Sequence, residues 1–228
     1  MKQEQLERTI GLIGQQGVDK LAKSTVLVCG LGGVGGTALE ALARTGVSHF
    51  IIMDFDKVAP YNLNRQILYT QKDIGRKKVE AAKERVLSIN NEAIIDAIDE
   101  KVDISLKKKL HNKHIDFIID AIDDVPGKVE LAKFACDNNI PYISSLGMAN
   151  RMDSTKITIT RLDKTTMDPL AKKLRYEFKK AGIDTKKIVV AYSLEQPIKD
   201  GTKLNSIMMP PSASGLAIAS YVIQELIK

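Results

Sequence analysis

The sequence predicts an α/β protein built on a Rossmann-like, doubly wound and mostly parallel sheet, with antiparallel strands near its C-terminal end. Short apolar runs alternate with helix-forming segments between residues 20 and 150, and a glycine-rich turn follows the first run. A regular polar–apolar alternation appears only after residue 150. The first two observations are typical of parallel strands joined by helices, and the third is typical of a half-exposed antiparallel strand.

A βαβ unit is predicted at the start of this pattern. Residues 25–29 form an apolar strand, the glycine run 30–36 leads into an alanine- and leucine-rich helix, and residues 49–54 form the next strand. Gly46 ends that helix, because glycine accepts the left-handed conformation common at helix C-termini. The remaining elements continue the alternation, with helices over 73–88 and 126–138 and strands over 94–98, 116–120 and 141–146.

The C-terminal part of the chain follows a different pattern. Its predicted elements are a strand of period two over 156–161, a lysine-rich helix opened by Asp168 and Pro169, a strand over 188–193, and a closing helix over 212–227. No proline- or serine-rich linker and no repeat interrupts the sequence. We therefore expect a single domain over residues 1–228, with a core over 20–150 and an extension over 151–228.

The composition excludes several classes of protein. Of 228 residues, 44% are hydrophobic and 27% are charged, which is typical of a folded domain and not of a disordered chain. Two cysteines, Cys29 and Cys136, are too few for a disulfide scaffold or a four-cysteine zinc site. No apolar run approaches the ~18 residues of a membrane-spanning helix, so we expect a cytoplasmic protein without a transmembrane segment.

The net charge of +6 is concentrated in residues 164–187, which contain eight basic and three acidic side chains. Such a surface suits a polyanion, although lysine-rich helices also occur as solvated faces without a partner. At about 3.6 residues per turn, three of these bases fall on one side of the predicted helix, while Leu174 and Phe178 remain for the core. The predicted nucleic-acid contacts are Lys172, Arg175 and Lys179.

A glycine motif follows the first predicted strand. Gly30, Gly32 and Gly35 match the pattern GxGxxG at the start of a helix, where backbone amides can approach a phosphate closely and the helix dipole is positive. Asp54 ends the second strand and is placed to accept hydrogen bonds from ribose hydroxyls. The motif predicts a nucleotide site, for which NAD is the usual ligand; a tight turn without a ligand is the alternative.

Four later features favour ATP over NAD. They are a second acid after Asp54, a polar cluster containing an arginine, a lysine at a helix start, and acids at the end of a strand. Together these residues supply two cations for a triphosphate and carboxylates for magnesium. In the alternative, the arginine only pairs with the second acid, the lysine belongs to a helix surface, and the acids cap the next helix. The residues concerned are Asp56, Asn62, Asn64, Arg65, Gln66, Lys78, Asp123 and Asp124.

The order GxGGxG, DFD, NxNRQ, GxxK and DAIDD closely resembles the ubiquitin-activating-like adenylyltransferases of the ThiF and MoeB type. The resemblance implies that the domain binds ATP and attaches AMP to a carboxylate. It further implies that Gly32 and Gly33 lie along the phosphates and that Asp54 holds the ribose. It assigns the phosphates to Arg65 and Lys78 and a magnesium ion to Asp123.

The C-terminal motifs narrow this resemblance. GMANRMDST from Gly147, MDPLA from Met167 with Arg175, and YSLE from Tyr192 are similar to the branch of tRNA threonylcarbamoyladenosine dehydratases. That branch implies a tRNA substrate, a homodimer, and ATP-dependent cyclisation of a threonylcarbamoyl side chain to a hydantoin, with residues 151–228 binding the substrate. A monovalent cation and a sulfur-transfer partner stay open.

The alternatives are one close relative in chemistry and two proteins of a different class. An adenylyltransferase for a ubiquitin-like sulfur-carrier protein usually has two CxxC zinc pairs, which Cys29 and Cys136 cannot supply. An NAD-dependent oxidoreductase has no use for the additional cations and acids, and a silent nucleotide-binding scaffold would need no catalytic groups. A thioester mechanism needs an activated, exposed cysteine, whereas Cys29 lies in a predicted strand and Cys136 is expected to pack on a helix.

Overall fold

The computed structural model describes residues 1–198 and 204–228 of the chain. Its strands are β1 (Thr25–Cys29), β2 (His49–Met53), β3 (Ile94–Ile98), β4 (Phe117–Asp120), β5 (Tyr142–Ser145), β6 (Ile157–Arg161) and β7 (Val189–Ser193). Its α-helices are α1 (Gln3–Lys23), α2 (Gly33–Thr45), α3 (Lys78–Ile89), α4 (Leu106–Lys109), α5 (Val125–Asp137), α6 (Pro169–Lys180) and α7 (Met209–Leu226).

The strands form one sheet in the order β3-β2-β1-β4-β5-β7-β6. All neighbouring pairs are parallel except β6 and β7, which pair antiparallel with Ile159 opposite Ala191. The predicted fold class is therefore confirmed. Strand order reverses between β1 and β4, and ligands of doubly wound sheets bind outside the carboxyl ends of the strands at such a switch point.

Helices cover both faces of the sheet. Alternate residues of β1 point to opposite faces, so that Val26 and Val28 pack with α1, α2, α3 and α7. Leu27 and Cys29 pack instead with α4, α5 and α6. Within the described residues, no helix is both long and apolar enough to cross a membrane.

Two predicted helix starts were wrong. The helix predicted from residue 73 begins only at Lys78, because Gly75 has a left-handed φ of 86° and interrupts the turn before it. Ile74, which the periodicity assigned to the helix, is 38% exposed in that turn. Conversely, α7 begins three residues early, at Met209, because proline fits the first turn of a helix.

Candidate active site

A cavity of about 410 Å³ lies at the switch point, beyond the carboxyl ends of β1, β2 and β4. Most of the side chains and glycines predicted to bind a nucleotide line this one cavity. They are Gly30, Gly32, Gly33, Asp54, Asp56, Asn62, Arg65, Gln66, Lys78 and Asp123. Gly35 and Asn64, which were predicted with them, do not line it.

The glycine turn brings backbone close to backbone at two positions. Gly30 has a φ of 87°, and a Cβ atom there would lie 2.6 Å from the carbonyl oxygen of Ala121. A Cβ atom at Gly35 would lie 1.9 Å from the carbonyl oxygen of Gly30, so this glycine serves the packing of α2 against the turn. The first N–H groups of any α-helix have no intrahelical partner, and in α2, which begins at Gly33, no side-chain cap accepts from them. These N–H groups are therefore free to bind an anion in the cavity.

Asp54 connects the glycine turn to the next loop. Its carboxylate accepts hydrogen bonds from the N–H of Leu31 at 2.7 Å and from the N–H of Asp56 at 2.9 Å. Burial raises the pKa of the Asp54 carboxyl, and the nearby Lys78 ammonium offsets part of this rise. The carboxylate is thus fixed by backbone donors and lines the cavity, as a ribose acceptor requires.

Lys78 is a buried cation at the start of α3 and not a surface lysine. Its side chain is 6% exposed, and Nζ lies 2.7 Å from Oδ2 of Asp56 and 3.9 Å from Oδ2 of Asp54. The backbone N–H of Lys78 also donates to the carbonyl oxygen of Asp56 at 3.0 Å. Asp56 therefore anchors Lys78 at the cavity wall.

The polar cluster 62–66 forms another part of the cavity wall. Arg65 donates from Nη1 to the carbonyl oxygen of Tyr61 and to Oδ1 of Asn64, both at 2.9 Å, and does not pair with Asp56. Asn62 is buried and accepts from the N–H of Ala59, so it shapes the loop. Arg65 thus reaches the cavity with neutral partners and keeps its charge available for an anion.

Gln66 and Asn64 differ in position. Gln66 is 5% exposed and lines the cavity, and its Oε1 has no hydrogen-bond partner within the described residues. Asn64 turns outward and donates to the carbonyl oxygen of Ser206 at 2.9 Å. Asn64 therefore connects the cavity wall to the segment before α7.

The two acids after β4 have separate roles. Asp124 is the N-cap of α5, accepting from the N–H of Gly127 at 2.7 Å, and it pairs with Lys101 at 3.0 Å. The N–H of Gly127 chiefly lowers the pKa of Asp124, and Lys101 lowers it further. Asp123 is exposed and lines the cavity, so the helix-cap alternative holds for Asp124 and not for Asp123.

Three further polar side chains of the cavity wall were not predicted from the sequence. Tyr61 precedes the polar cluster, and Glu100 and Lys101 follow β3. The rule that carboxyl ends of parallel strands meet at one edge of the sheet could have found Glu100 and Lys101. Tyr61 carried no comparable signal.

The structure changes two expectations for the C-terminal half. Arg175, predicted as a nucleic-acid contact, is partly buried and donates to the hydroxyl of Thr165 and to its carbonyl oxygen at 3.1 Å. Its guanidinium therefore holds the turn before α6. Cys136 is exposed and not packed, because it does not belong to the buried face of α5, which consists of Gly127, Lys128, Leu131, Ala132 and Ala135.

Neither cysteine is an activated thiol. Cys29 is fully buried, and this burial, followed by the charge of Asp120, raises its pKa well above the ordinary thiol value. Burial, followed by the charge of Asp137, also raises the pKa of Cys136. Neither residue lines the cavity, so the geometry favours chemistry without a protein thioester.

The chain is similar to several known enzymes of one kind. A tRNA threonylcarbamoyladenosine dehydratase of Bacillus subtilis is 35% identical over 242 residues, which cover 98% of this chain and 95% of that protein. Its Escherichia coli counterpart is 35% identical over 205 residues, covering 85% and 76%. The crystal structure of E. coli tRNA N6-threonylcarbamoyladenosine dehydratase, TcdA, in complex with ATP matches with a TM-score of 0.93 at 31% identity, covering 99% of this chain and 94% of that one.

The similarity extends over the whole chain and not only over the glycine turn. The ThiF family matches residues 5–228, which include both the cavity and the α6–β7 extension. With a match of that length, and with relatives above 30% identity along nearly the full chain, the protein belongs to the ThiF family.

Proposed function

We propose that this ThiF-family enzyme uses ATP to close the threonylcarbamoyl side chain of N6-threonylcarbamoyladenosine in tRNA into a hydantoin. The observation that carries the proposal is one cavity that combines a helix N-terminus, the fixed carboxylate of Asp54, two cations at Arg65 and Lys78, and the exposed carboxylate of Asp123. This set fits a nucleoside triphosphate. Relatives that match nearly the whole chain carry the dehydratase name, and the E. coli dehydratase was crystallised with ATP.

The reaction needs activation of a carboxylate, because oxide is a poor leaving group. A carboxylate oxygen attacks the α-phosphorus of ATP, the bond to the β-phosphate oxygen breaks, and pyrophosphate leaves. The N6 nitrogen of the substrate's adenine then attacks the acyl carbon and closes the five-membered ring, AMP leaves with the former carboxylate oxygen, and the nitrogen gives up its proton. Both steps need orientation and neutralisation of charge, which Arg65 and Lys78 supply, and neither needs a protein nucleophile.

Magnesium fits the residues at this cavity, and we include it in the proposal. Within the described residues, no three His, Cys, Asp or Glu side chains form a metal cluster. Mg²⁺ is usually bound by one or two carboxylates together with substrate phosphates and water. Asp123 would hold the ion beside the phosphates, where it would neutralise the departing pyrophosphate.

For tRNA, the α6 lysine face is the proposed contact, defined as Lys172, Lys173, Lys179 and Lys180. All four side chains are exposed, and no ion pair holds them within the described residues. Tyr176 is 67% exposed on the same side of the helix, and exposed aromatic rings among bases are suited to stacking on nucleotides. Ala171, Leu174 and Phe178 anchor the opposite side of α6 in the core.

The extension joins the sheet through β7, which pairs with β5, and through Arg151. Arg151 and Asp168 form a buried ion pair at 2.9 Å, and Asp168 also caps α6 by accepting from the N–H of Ala171. Arg151 donates further to the carbonyl oxygen of Gly147 at 2.9 Å, just beyond β5. We therefore assign substrate binding to residues 151–228; the homodimer implied by the resemblance remains a prediction.

The deciding experiment compares two carboxylate substrates. Purified protein is mixed with ATP, Mg²⁺ and either tRNA bearing N6-threonylcarbamoyladenosine or a ubiquitin-like sulfur-carrier protein, and release of AMP and pyrophosphate is measured. We expect AMP and pyrophosphate to be released only in the reaction that contains the modified tRNA. Mass spectrometry of the digested tRNA should show that the modified nucleoside has lost one water. Release with the carrier protein alone would refute the proposal in favour of the sulfur-carrier alternative.

A further inference from the structure

A buried ion pair adjoins the cavity without lining it. Lys128 of α5 and Asp120 at the end of β4 are both 0% exposed, and Nζ of Lys128 lies 3.0 Å from Oδ1 of Asp120. The same ammonium donates at 2.9 Å to the hydroxyl of Ser144 and to the carbonyl oxygen of Ser145. All three of its hydrogens have acceptors, and they join the carboxyl ends of β4 and β5.

The Asp120 carboxylate passes this constraint on to the next loop. Its Oδ2 accepts from the hydroxyls of Tyr142 at 2.5 Å and Ser144 at 2.8 Å. Its Oδ1, which also receives Lys128, accepts the backbone N–H of Ile122 at 3.2 Å. Ile122 directly precedes Asp123, so the direction in which the chain leaves β4 depends on a carboxylate that Lys128 holds.

Lys128 also holds the far end of that loop. Its backbone N–H donates to the carbonyl oxygen of Asp124 at 3.0 Å. The loop 121–124 is thereby fixed at both ends by one residue, through the side chain at the first end and through the backbone at the second. Asp123 lies between the two anchors with its carboxylate exposed to the cavity.

If this ion pair served only the stability of the fold, two apolar side chains could replace it. Replacing a buried ion pair by hydrophobic residues of similar volume is often neutral or stabilising, because desolvation offsets the attraction of the charges. A charged pair at the edge of the cavity therefore points to a role other than stability. We propose that Lys128 is a positioning residue that, through Asp120 and Ile122, sets the Asp123 carboxylate for adenylate formation; this inference rests on the proposed function.

The test removes both charges together. In the double variant Lys128→Met with Asp120→Asn, no unpaired charge is left buried. We expect kcat for tRNA-dependent AMP release to fall about 10- to 100-fold, the scale of a small misplacement of a reacting group. The Kd for ATP measured without metal should stay within about threefold of wild type. The glycine turn and Asp54 lie on other elements, and substitutions at independent sites have nearly additive effects.

Two further readouts separate positioning from stability. In an Asp123→Asn background the double variant should add almost nothing to the loss in kcat, because the positioned group is already gone. The Mg²⁺ concentration that half-saturates ATP binding should rise as it does in Asp123→Asn. As a control, Arg85→Met removes the 2.9 Å ion pair to Glu40 away from the cavity, and it should lower the melting temperature with kcat unchanged.

The outcomes distinguish this inference from the proposed function. Unchanged magnesium dependence of ATP binding, or a kcat loss that is equally large with and without Asp123, would overturn the inference. Magnesium dependence needs no tRNA, so wild-type protein that binds Mg²⁺ and ATP but ignores the tRNA would refute only the proposed function. If the double variant does not fold, Tyr142→Phe removes one donor to Asp120 and gives the same readouts at smaller amplitude.

Discussion

Replacing Lys78 by methionine tests the electrostatic core of the proposed mechanism. Methionine keeps most of the unbranched side chain and removes the ammonium, which lies 2.7 Å from Asp56 and 3.9 Å from Asp54. The side chain is 6% exposed, so water cannot easily replace the charge at the cavity wall. The variant should therefore separate the contribution of the charge to catalysis from its contribution to folding.

The cost to stability should be modest. Removing one partner of a fully buried pair costs about 3–5 kcal/mol, but the side chain of Asp56 is 51% exposed and will be hydrated. Asp54 keeps the N–H groups of Leu31 and Asp56 as donors. We expect about 1–2 kcal/mol of destabilisation, somewhat less than the ~1.5–3 kcal/mol of a lost hydrogen bond to a charged group, because Asp56 remains hydrated. For a chain of this size, that lowers the melting temperature by about 2–8 °C.

The cost to catalysis should be larger. Loss of a preorganised contact to developing charge lowers kcat at least ~100-fold, which corresponds to about 2.7 kcal/mol of transition-state stabilisation. The measurement is AMP release at saturating modified tRNA and ATP, well below the melting temperature of the variant. A parallel measurement of ATP binding shows how much of the loss lies in the ground state.

Lys77→Met is the matched control. Lys77 is the neighbouring residue, 46% exposed in its side chain, and it pairs with Asp99 at 2.8 Å outside the cavity. Its loss should leave kcat within about twofold, because exposed ion pairs contribute little. If Lys78→Met retained kcat within twofold of wild type, or if both variants lost activity equally, a role of the Lys78 charge at the phosphates would be refuted.

Three further predictions address the other parts of the site. Asp123→Asn should raise the Mg²⁺ requirement and lower AMP release, with a melting temperature near that of wild type; a lost fold with retained activity per folded molecule would speak for a capping role. Because burial raises the pKa of Asp54, its protonation should weaken ATP binding on acidification before the ordinary aspartate value of about 3.9 is reached; in calorimetric titrations this pH step should disappear in Asp54→Asn. Changing the four lysines of the α6 lysine face to glutamine should lower the slope of log Kd for tRNA against log salt by about three units. The control Lys23→Gln with Lys83→Gln, on the opposite face of the sheet, should change this slope little. If the α6 variant and wild type had equal slopes, α6 would be a solvated surface.

The fold could be predicted because local patterns and tertiary structure agree over most of the chain. Apolar runs such as 25–29 and 117–120 are buried on both faces, as parallel strands under two helical layers must be. The pattern failed where backbone conformation outweighed periodicity. Ile74 continues the apolar repeat of α3, but the left-handed Gly75 stops the helix from extending to it.

The cavity could be predicted for a related reason. Asp54 directly follows β2, and Asp123 lies three residues beyond the end of β4. Because the carboxyl ends of parallel strands meet at one edge of the sheet, these positions in the sequence predict that the two side chains lie close together. Arg175 shows the limit of this reasoning, because helical spacing placed it beside Lys172 and Lys179. The spacing gave no sign that the carbonyl and hydroxyl oxygens of Thr165 would hold its guanidinium.

Lys128 escaped the sequence reasoning because a lysine in a helix is read as solvated unless its acceptors are known. Those acceptors are Asp120 of β4, eight residues earlier in the chain, and Ser144 and Ser145 of β5, sixteen and seventeen residues later. Only the parallel pairing of these two strands brings the acceptors together at α5. The three buried or cavity-lining cations Arg65, Lys78 and Lys128 therefore differ in what surrounds their charged groups. Arg65 and Lys78 line the cavity and can stabilise negative charge that develops on the phosphates. Every donor of the Lys128 ammonium is instead hydrogen-bonded to protein, so Lys128 can act only by fixing the loop that carries Asp123.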